Sequence, residues 1–275
     1  MIHRLGMLPF MRNRSVESSK EGIVKRFIGL VLILGAGLTM GLSSHGPIDA
    51  VADQSVVPDT GQASETPFPV YTPPKNLIPR ARVGGTFRGT DGKDPEIIPL
   101  VPDHVGLTIK QTPTLNWFLS KPTVYQIHFT LNNIQQIKPL YEGTLPPPAH
   151  EGVQSIDLKA LGLKLEANVQ YRWFISARRN DSSYSEDIVA GGMIERCEFN
   201  DCIVTRQIIT TCDQESVNHN VVNGLWYDAM ACLCSLIDAT PKDPSLRRLR
   251  ANLLRQVGLH GVADWDLRAI QSSLK

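Results

Sequence analysis

The segment Val169-Gln170-Tyr171-Arg172-Trp173-Phe174-Ile175 places Val, Tyr, Trp and Ile at odd positions and a more polar set at two of the three even ones. A period of two predicts a half-buried β-strand, because successive side chains leave a strand on opposite faces. Working outward, Tyr125-Gln-Ile127-His-Phe129-Thr-Leu131 repeats the pattern, with Gln126, His128 and Thr130 on the polar face. Val105-Gly-Leu107-Thr-Ile109 and Leu115-Asn-Trp117-Phe-Leu119 put their apolar residues at odd positions, and Asp187 to Ile194 reads as a further strand. Lys121-Pro122, Asn132-Asn133 and Asn180-Asp181 separate these runs, which predicts at least six short strands between residues 100 and 197 in an antiparallel sandwich. Trp117, Tyr171 and Trp173 are expected to be buried together. Pro146-Pro147-Pro148 excludes that stretch from any central strand, since proline cannot donate to a ladder.

After Cys202 the period changes. Val222, Leu225, Trp226, Ala229, Met230, Leu233, Leu236 and Ile237 follow i, i+3, i+4 spacing, which predicts one helix over 221–238. A second helix is expected over 244–257, with Asp243 as cap, Pro244 at its first position and Gly258 past its end. Ile203 to Val217 fits strand or helix, with helix favoured. The fold class is therefore mainly β, an antiparallel sandwich with a C-terminal helical extension. Its expected divisions are 82–200 for the sandwich and 201–275 for helices packed on it.

The N-terminus carries a different message. Lys25-Arg26 precedes the apolar run Phe27–Leu42, and Ala50-Val51-Ala52 follows it. A positive flank, a short greasy segment and a small-x-small exit predict an export signal over 1–52, cleaved after Ala52. The run is about sixteen residues where a spanning helix needs roughly 20; the other reading is an uncleaved anchor through 27–42. Residues 53–81 hold six prolines and no hydrophobic period, and read as a flexible tether. The expected location is periplasmic or secreted.

Charge narrows the partners. The chain has 28 basic and 27 acidic residues. Removing 1–52 takes six and three of them and leaves 22 against 24, a net charge of −2. Such a chain makes no electrostatic case for nucleic acid, and reaches the membrane only through the N-terminal segment if that is retained. Cys197, Cys202, Cys212, Cys232 and Cys234 all follow the signal, so some are expected to pair in an oxidising compartment. Cys197 and Cys202 bracket a four-residue turn and are the candidate disulfide. Cys232 and Cys234 point to different faces of a helix, and the odd count leaves at least one thiol free or intermolecular.

Chemistry is sparse. The mature chain holds no Gly-x-Ser-x-Gly, His-Glu-x-x-His, phosphate-loop or Cys-x-x-Cys motif. No catalytic, cofactor or metal residue is assigned, and no cofactor is expected. Candidate interaction residues are Arg82 and Arg88, which flank Gly84-Gly85 and could hold an anion, and the cluster Trp226-Tyr227-Asp228.

Three resemblances extend this reading. Thr112-Pro-Thr-Leu-Asn-Trp117, followed by Tyr125-Gln-Ile127, resembles neighbouring strands of fibronectin type III-like and immunoglobulin-like modules. Leu165-Glu-Ala-Asn-Val-Gln-Tyr171 resembles their tyrosine corner, which implies a Tyr171 hydroxyl bonded to upstream backbone. Arg82-Val-Gly84-Gly85-Thr-Phe-Arg88-Gly89, Tyr171-Arg-Trp173, Gly192-Met-Ile-Glu-Arg196 and Gly224-Leu-Trp226-Tyr227-Asp228-Ala229 are similar to the bacterial family called domain of unknown function 928. That likeness implies an envelope or secreted location and no particular activity. The tail around Trp226-Tyr-Asp-Ala229 and Pro241-x-x-Pro244 resembles tetratricopeptide repeats, too few to stand alone. The functional expectation is a non-catalytic interaction or scaffold module that binds another envelope protein; the alternative is an envelope hydrolase with a site built from distant loops.

Overall fold

Eight strands and four helices carry the described chain, and the computed structural model describes residues 67–75, 80–84, 94–178, 187–198, 202 and 211–273. The expected export segment 1–52, Gly85, Arg88 and residues 203–210 of the ambiguous Ile203–Val217 stretch lie outside the described residues. Strands β1 (Ile97–Pro99), β3 (Thr114–Leu119) and β6 (Gly152–Asp157) form a three-stranded sheet in the order β1-β3-β6. Strands β2 (Gly106–Thr108), β4 (Gln126–Asn133), β5 (Tyr141–Leu145), β7 (Gln170–Arg178) and β8 (Ile188–Arg196) form the other, in the order β2-β8-β7-β4-β5. All pairings are antiparallel except β2 with β8, which run parallel. The helices follow: α1 (Gln214–Val222), α2 (Trp226–Ala239), α3 (Pro244–Gln256) and α4 (His260–Ser273). Sandwich and helices belong to one unit, Ala63–Lys275. Among the described residues no helix is long and apolar enough to cross a membrane.

Period-two patterning predicts the central strands well. On β4 the buried side chains are Ile127, Phe129, Leu131 and Asn133, and on β7 they are Tyr171, Trp173, Ile175 and Ala177. These meet Leu115, Trp117, Leu119 and Ile156 of the other sheet in one core, where Trp117, Tyr171 and Trp173 lie together. Seven strands fall between residues 100 and 197.

Strands β3 and β2 are among those that depart from simple alternation. On β3, Asn116 and Phe118 are buried as well as the odd residues, because helices cover the outer face of that sheet. Ile98, Leu100 and Phe118 pack into a second core with Trp226, Met230, Leu233, Leu249 and Leu253. On β2 the expected inward set is corrected: Gly106 and Thr108 are buried, while Leu107 and Ile109 are half-buried beside Cys197 and Leu225. The small Gly106 faces the Tyr227 ring, which a larger residue would displace.

The single helix expected over 221–238 is two. Gly224 adopts φ +75°, a left-handed conformation that glycine takes without steric cost, and α1 ends before it. A Cβ there would lie 2.7 Å from the Thr72 carbonyl oxygen. Val222, assigned to the apolar face, is instead exposed. Helix α1 opens with a reciprocal cap in which Asp213 accepts from Ser216 N and Ser216 Oγ accepts from Asp213 N. Helix α3 starts as the sequence predicts, with Asp243 accepting from Ser245 N and Pro244 in the first turn.

Candidate functional site

Three of the candidate interaction residues meet where α2 crosses the sandwich. Trp226 donates its indole N–H to the Leu100 carbonyl at 2.7 Å. Tyr227 accepts from Trp173 Nε1 at 2.8 Å and donates to the Met193 carbonyl at 3.1 Å. Asp228 accepts from Ile109 N at 3.0 Å, with the Lys110 ammonium 3.9 Å from its other oxygen. Consecutive helical residues point about 100° apart, so the three reach different strands: the loop after β1, then β7 and β8, then β2. Gly106 and Gly192 make room for Tyr227, since a Cβ on Gly106 would sit 2.7 Å from its ring.

The electrostatics follow from burial. Tyr227 and Asp228 are both enclosed, and desolvation pushes the Tyr227 hydroxyl and the Asp228 carboxyl above their ordinary values. For Asp228, Lys110 and the Ile109 amide act in the opposite sense without reversing it. A buried carboxylate costs folding free energy unless paired. The candidate interaction residues Trp226, Tyr227 and Asp228 are thus buried in the seam between α2 and the sandwich.

Arg82 joins the same seam from the N-terminal side. One guanidinium nitrogen donates to the Val101 carbonyl at 3.0 Å and to the Val257 carbonyl at 2.9 Å, tying the sandwich to the end of α3. Both of these bonds go to backbone carbonyls. Beside it the 67–75 segment straps the helices. Gln256 accepts from Tyr71 N and donates to the Pro69 carbonyl, and Tyr71 packs edge-on to Trp226 at 4.9 Å. His104 stacks on Tyr71, and burial lowers its pKa.

Cys197 is joined to Cys202, and Cys212 to Cys232. Cys234 is free and buried, its sulfur 3.4 Å from Arg250 Nη1. Arg250 also grips Asp266 through Nε at 2.8 Å and Nη2 at 2.7 Å, an enclosed ion pair linking α3 to α4. Among the described residues no group of three His, Cys, Asp or Glu side chains could hold a metal ion.

The surface holds two further features. Among the described residues the helices expose one large apolar side chain, Val222. The β4–β5 loop carries exposed Ile134, Ile137 and Leu140. Next to β5, a slot of ≈ 220 Å³ opens between the two sheets, floored by Trp117 and Ile127 and lipped by Leu145, Pro146 and Pro148.

Sequence reasoning saw Trp226, Tyr227, Asp228 and Arg82 but not their partners Trp173, Met193, Val101 and Val257. A usable signal was the glycine pair Gly191-Gly192 inside an otherwise apolar strand, which marks close approach of another group.

Together these features define a two-sheet β protein with an integrated helical layer. The chain belongs to the family described as Domain of Unknown Function (DUF928), which matches residues 83–267. The seam residues Gly192, Met193 and Trp226 to Asp228 fall within the matched stretch. No curated protein matches the chain. Among solved structures it is similar to a multi-domain immunophilin from Arabidopsis thaliana, at 7% identity over 71% of this chain and 100% of that one, with a TM-score of 0.16. That likeness is too slight to carry an argument.

Proposed function

We propose that this protein is a non-catalytic interaction or scaffold module of the cell envelope, exported through residues 1–52, with the β4–β5 hairpin as its contact element. One observation carries the reading. Ile134, Ile137 and Leu140 stand exposed on a loop whose ends are pinned, Ile134 N donating to Gln170 O and Leu140 N to Leu131 O. Isolated exposed aliphatics are ordinary, but three on one tied seven-residue loop make a contiguous apolar tip. The proposed partner is a protein of the envelope. Nucleic acid has no part in this reading, and the membrane is touched only through 27–42 if that run is retained.

The sandwich, in the same reading, is of the immunoglobulin/fibronectin type III kind. The strand order, the parallel β2–β8 pair and the Tyr171 hydroxyl accepting from Glu166 N at 3.0 Å support it. The tightly packed pairs α1–α2 and α3–α4 favour a tetratricopeptide-like tail.

The test is a photo-crosslinking residue at position 137 in intact cells. A dominant protein adduct there, absent when the residue is placed at exposed Val124, supports the reading. Turnover of a glycan or peptide by the purified protein, without such an adduct, overturns it in favour of an envelope hydrolase.

A further inference from the structure

We propose that β5 pairs edge to edge with β5 of a second copy of this chain, antiparallel and centred on Gly143. The inference rests on the hairpin being a contact element and names what it contacts.

Strand β5 is the last of its sheet, and among the described residues its outer edge has no partner strand. The direction of its peptide groups follows from the register. Ile134 N donates to Gln170 O, continuing a ladder in which Asn132 faces Arg172 and Thr130 faces Phe174. Peptide groups alternate sides along a strand, so the even-numbered residues of β4 serve β7 and Ile127, Phe129 and Leu131 serve β5. Their partners Leu145, Gly143 and Tyr141 are thereby occupied. Glu142 and Thr144 turn their N–H and C=O groups outward.

Three two-fold registers bring those outward groups together, and side-chain chemistry selects one. Glu142 opposite Glu142 sets two carboxylates face to face, which destabilises a pair. Thr144 opposite Thr144 sets Glu142 against Pro146, which has no N–H to give. Glu142 opposite Thr144 keeps the carboxylates apart, and sets Pro146 only against Leu140, which lies outside β5 and already gives its N–H to the Leu131 carbonyl. It places Gly143 on the axis and Tyr141 against Leu145 of the second copy.

That register also uses the two other features of this side of the molecule. It brings Leu140 beside Pro146 of the second copy, and carries the loop along the Pro146–Pro148 run that lips the slot. Lys138 is the loop's charged residue, and Asp157 is the charged residue lining the slot. The opposite signs therefore approach each other. A two-fold makes each copy give its loop and receive the other's, so the contact is self-complementary and closed.

The experiment uses the full chain in two variants, Glu142→Cys and Thr144→Cys, oxidised separately and as a mixture, with bridged peptides read by mass spectrometry. The expected result is a 142–144 bridge in the mixture, several-fold above any bridge in either variant alone. Native chain should sediment with a concentration-dependent dimer that Leu140→Lys abolishes while its circular dichroism is unchanged. No excess bridging in the mixture, or a monomer at every concentration, overturns the proposal. A monomer whose position 137 still crosslinks a different protein overturns the self-pairing alone. A monomer with no adduct at 137 removes the hairpin reading as well.

Discussion

Trp173 and Tyr227, 54 residues apart, share a hydrogen bond of 2.8 Å between indole and phenol in the buried seam. Tyr227 donates its own O–H to the Met193 carbonyl, so one hydroxyl serves β7, β8 and α2 together. Folding of the helices cannot be separated from folding of the sandwich at this point. Loss of a seam residue should therefore lower the stability of both.

Tyr227→Phe removes the hydroxyl and leaves the Trp173 N–H and the Met193 carbonyl buried without their partner. We expect a loss of about 1–3 kcal/mol in urea unfolding. Tyr171→Phe, which removes one acceptor for Glu166 N, should cost about 0.5–1.5 kcal/mol. Equal losses would count against the relay role of Tyr227.

Gly106→Ala sets a methyl group against the Tyr227 ring, where the Cβ would lie 2.7 Å away. Overpacking of this kind costs about 1–3 kcal/mol. Near-ultraviolet circular dichroism should report a displaced Tyr227, with far-ultraviolet signal retained. An unchanged melting midpoint would sink this account of the seam.

Asp228 should make stability depend on pH in the less usual direction. Burial favours its protonated form, so its folded pKa lies above the unfolded value near 4. The folded state then holds the proton more tightly. This group's contribution falls as pH rises from about 4 through the folded value, and the loss persists above it. Asp228→Asn should flatten that part of the profile and be neutral or stabilising at pH 7. A steeper decline in the variant would contradict the assignment.

The Arg250–Asp266 pair offers a contrast between removing one partner and removing both. Asp266→Ala leaves a guanidinium buried beside Cys234 and should cost about 3–5 kcal/mol. The double variant Arg250→Met, Asp266→Leu should recover most of that loss, as apolar replacements of buried pairs often do. Thermal unfolding of the three proteins decides it.

The sequence by itself determined those elements whose signal is local. Strands β4 and β7 follow from strict alternation, because a strand buried on one face sorts its residues by that face alone. The start of α3 follows from Asp243-Pro244, because a cap and a fixed φ act within one turn. Strands β5 and β6, with mixed or small residues such as Gly143 and Gly152, carry no such alternation and were not read. Helix α4 lacks the clear leucine spacing of α3 and was missed as well.

Only the tertiary structure decided the role of the residues that looked functional. Trp226, Tyr227 and Asp228 on a helix suit a binding surface or a core equally well, since their chemistry is the same in either place. What settles it is which strand lies opposite: Leu100, Trp173, Met193 and Ile109 supply the partners, and all are 34 or more residues away in the chain. The break at Gly224 is likewise set from outside, by the Thr72 carbonyl pressed against it. Local pattern records which face of an element avoids water. It cannot record which distant backbone group will stand across from a given hydroxyl, because only chain closure brings the two together.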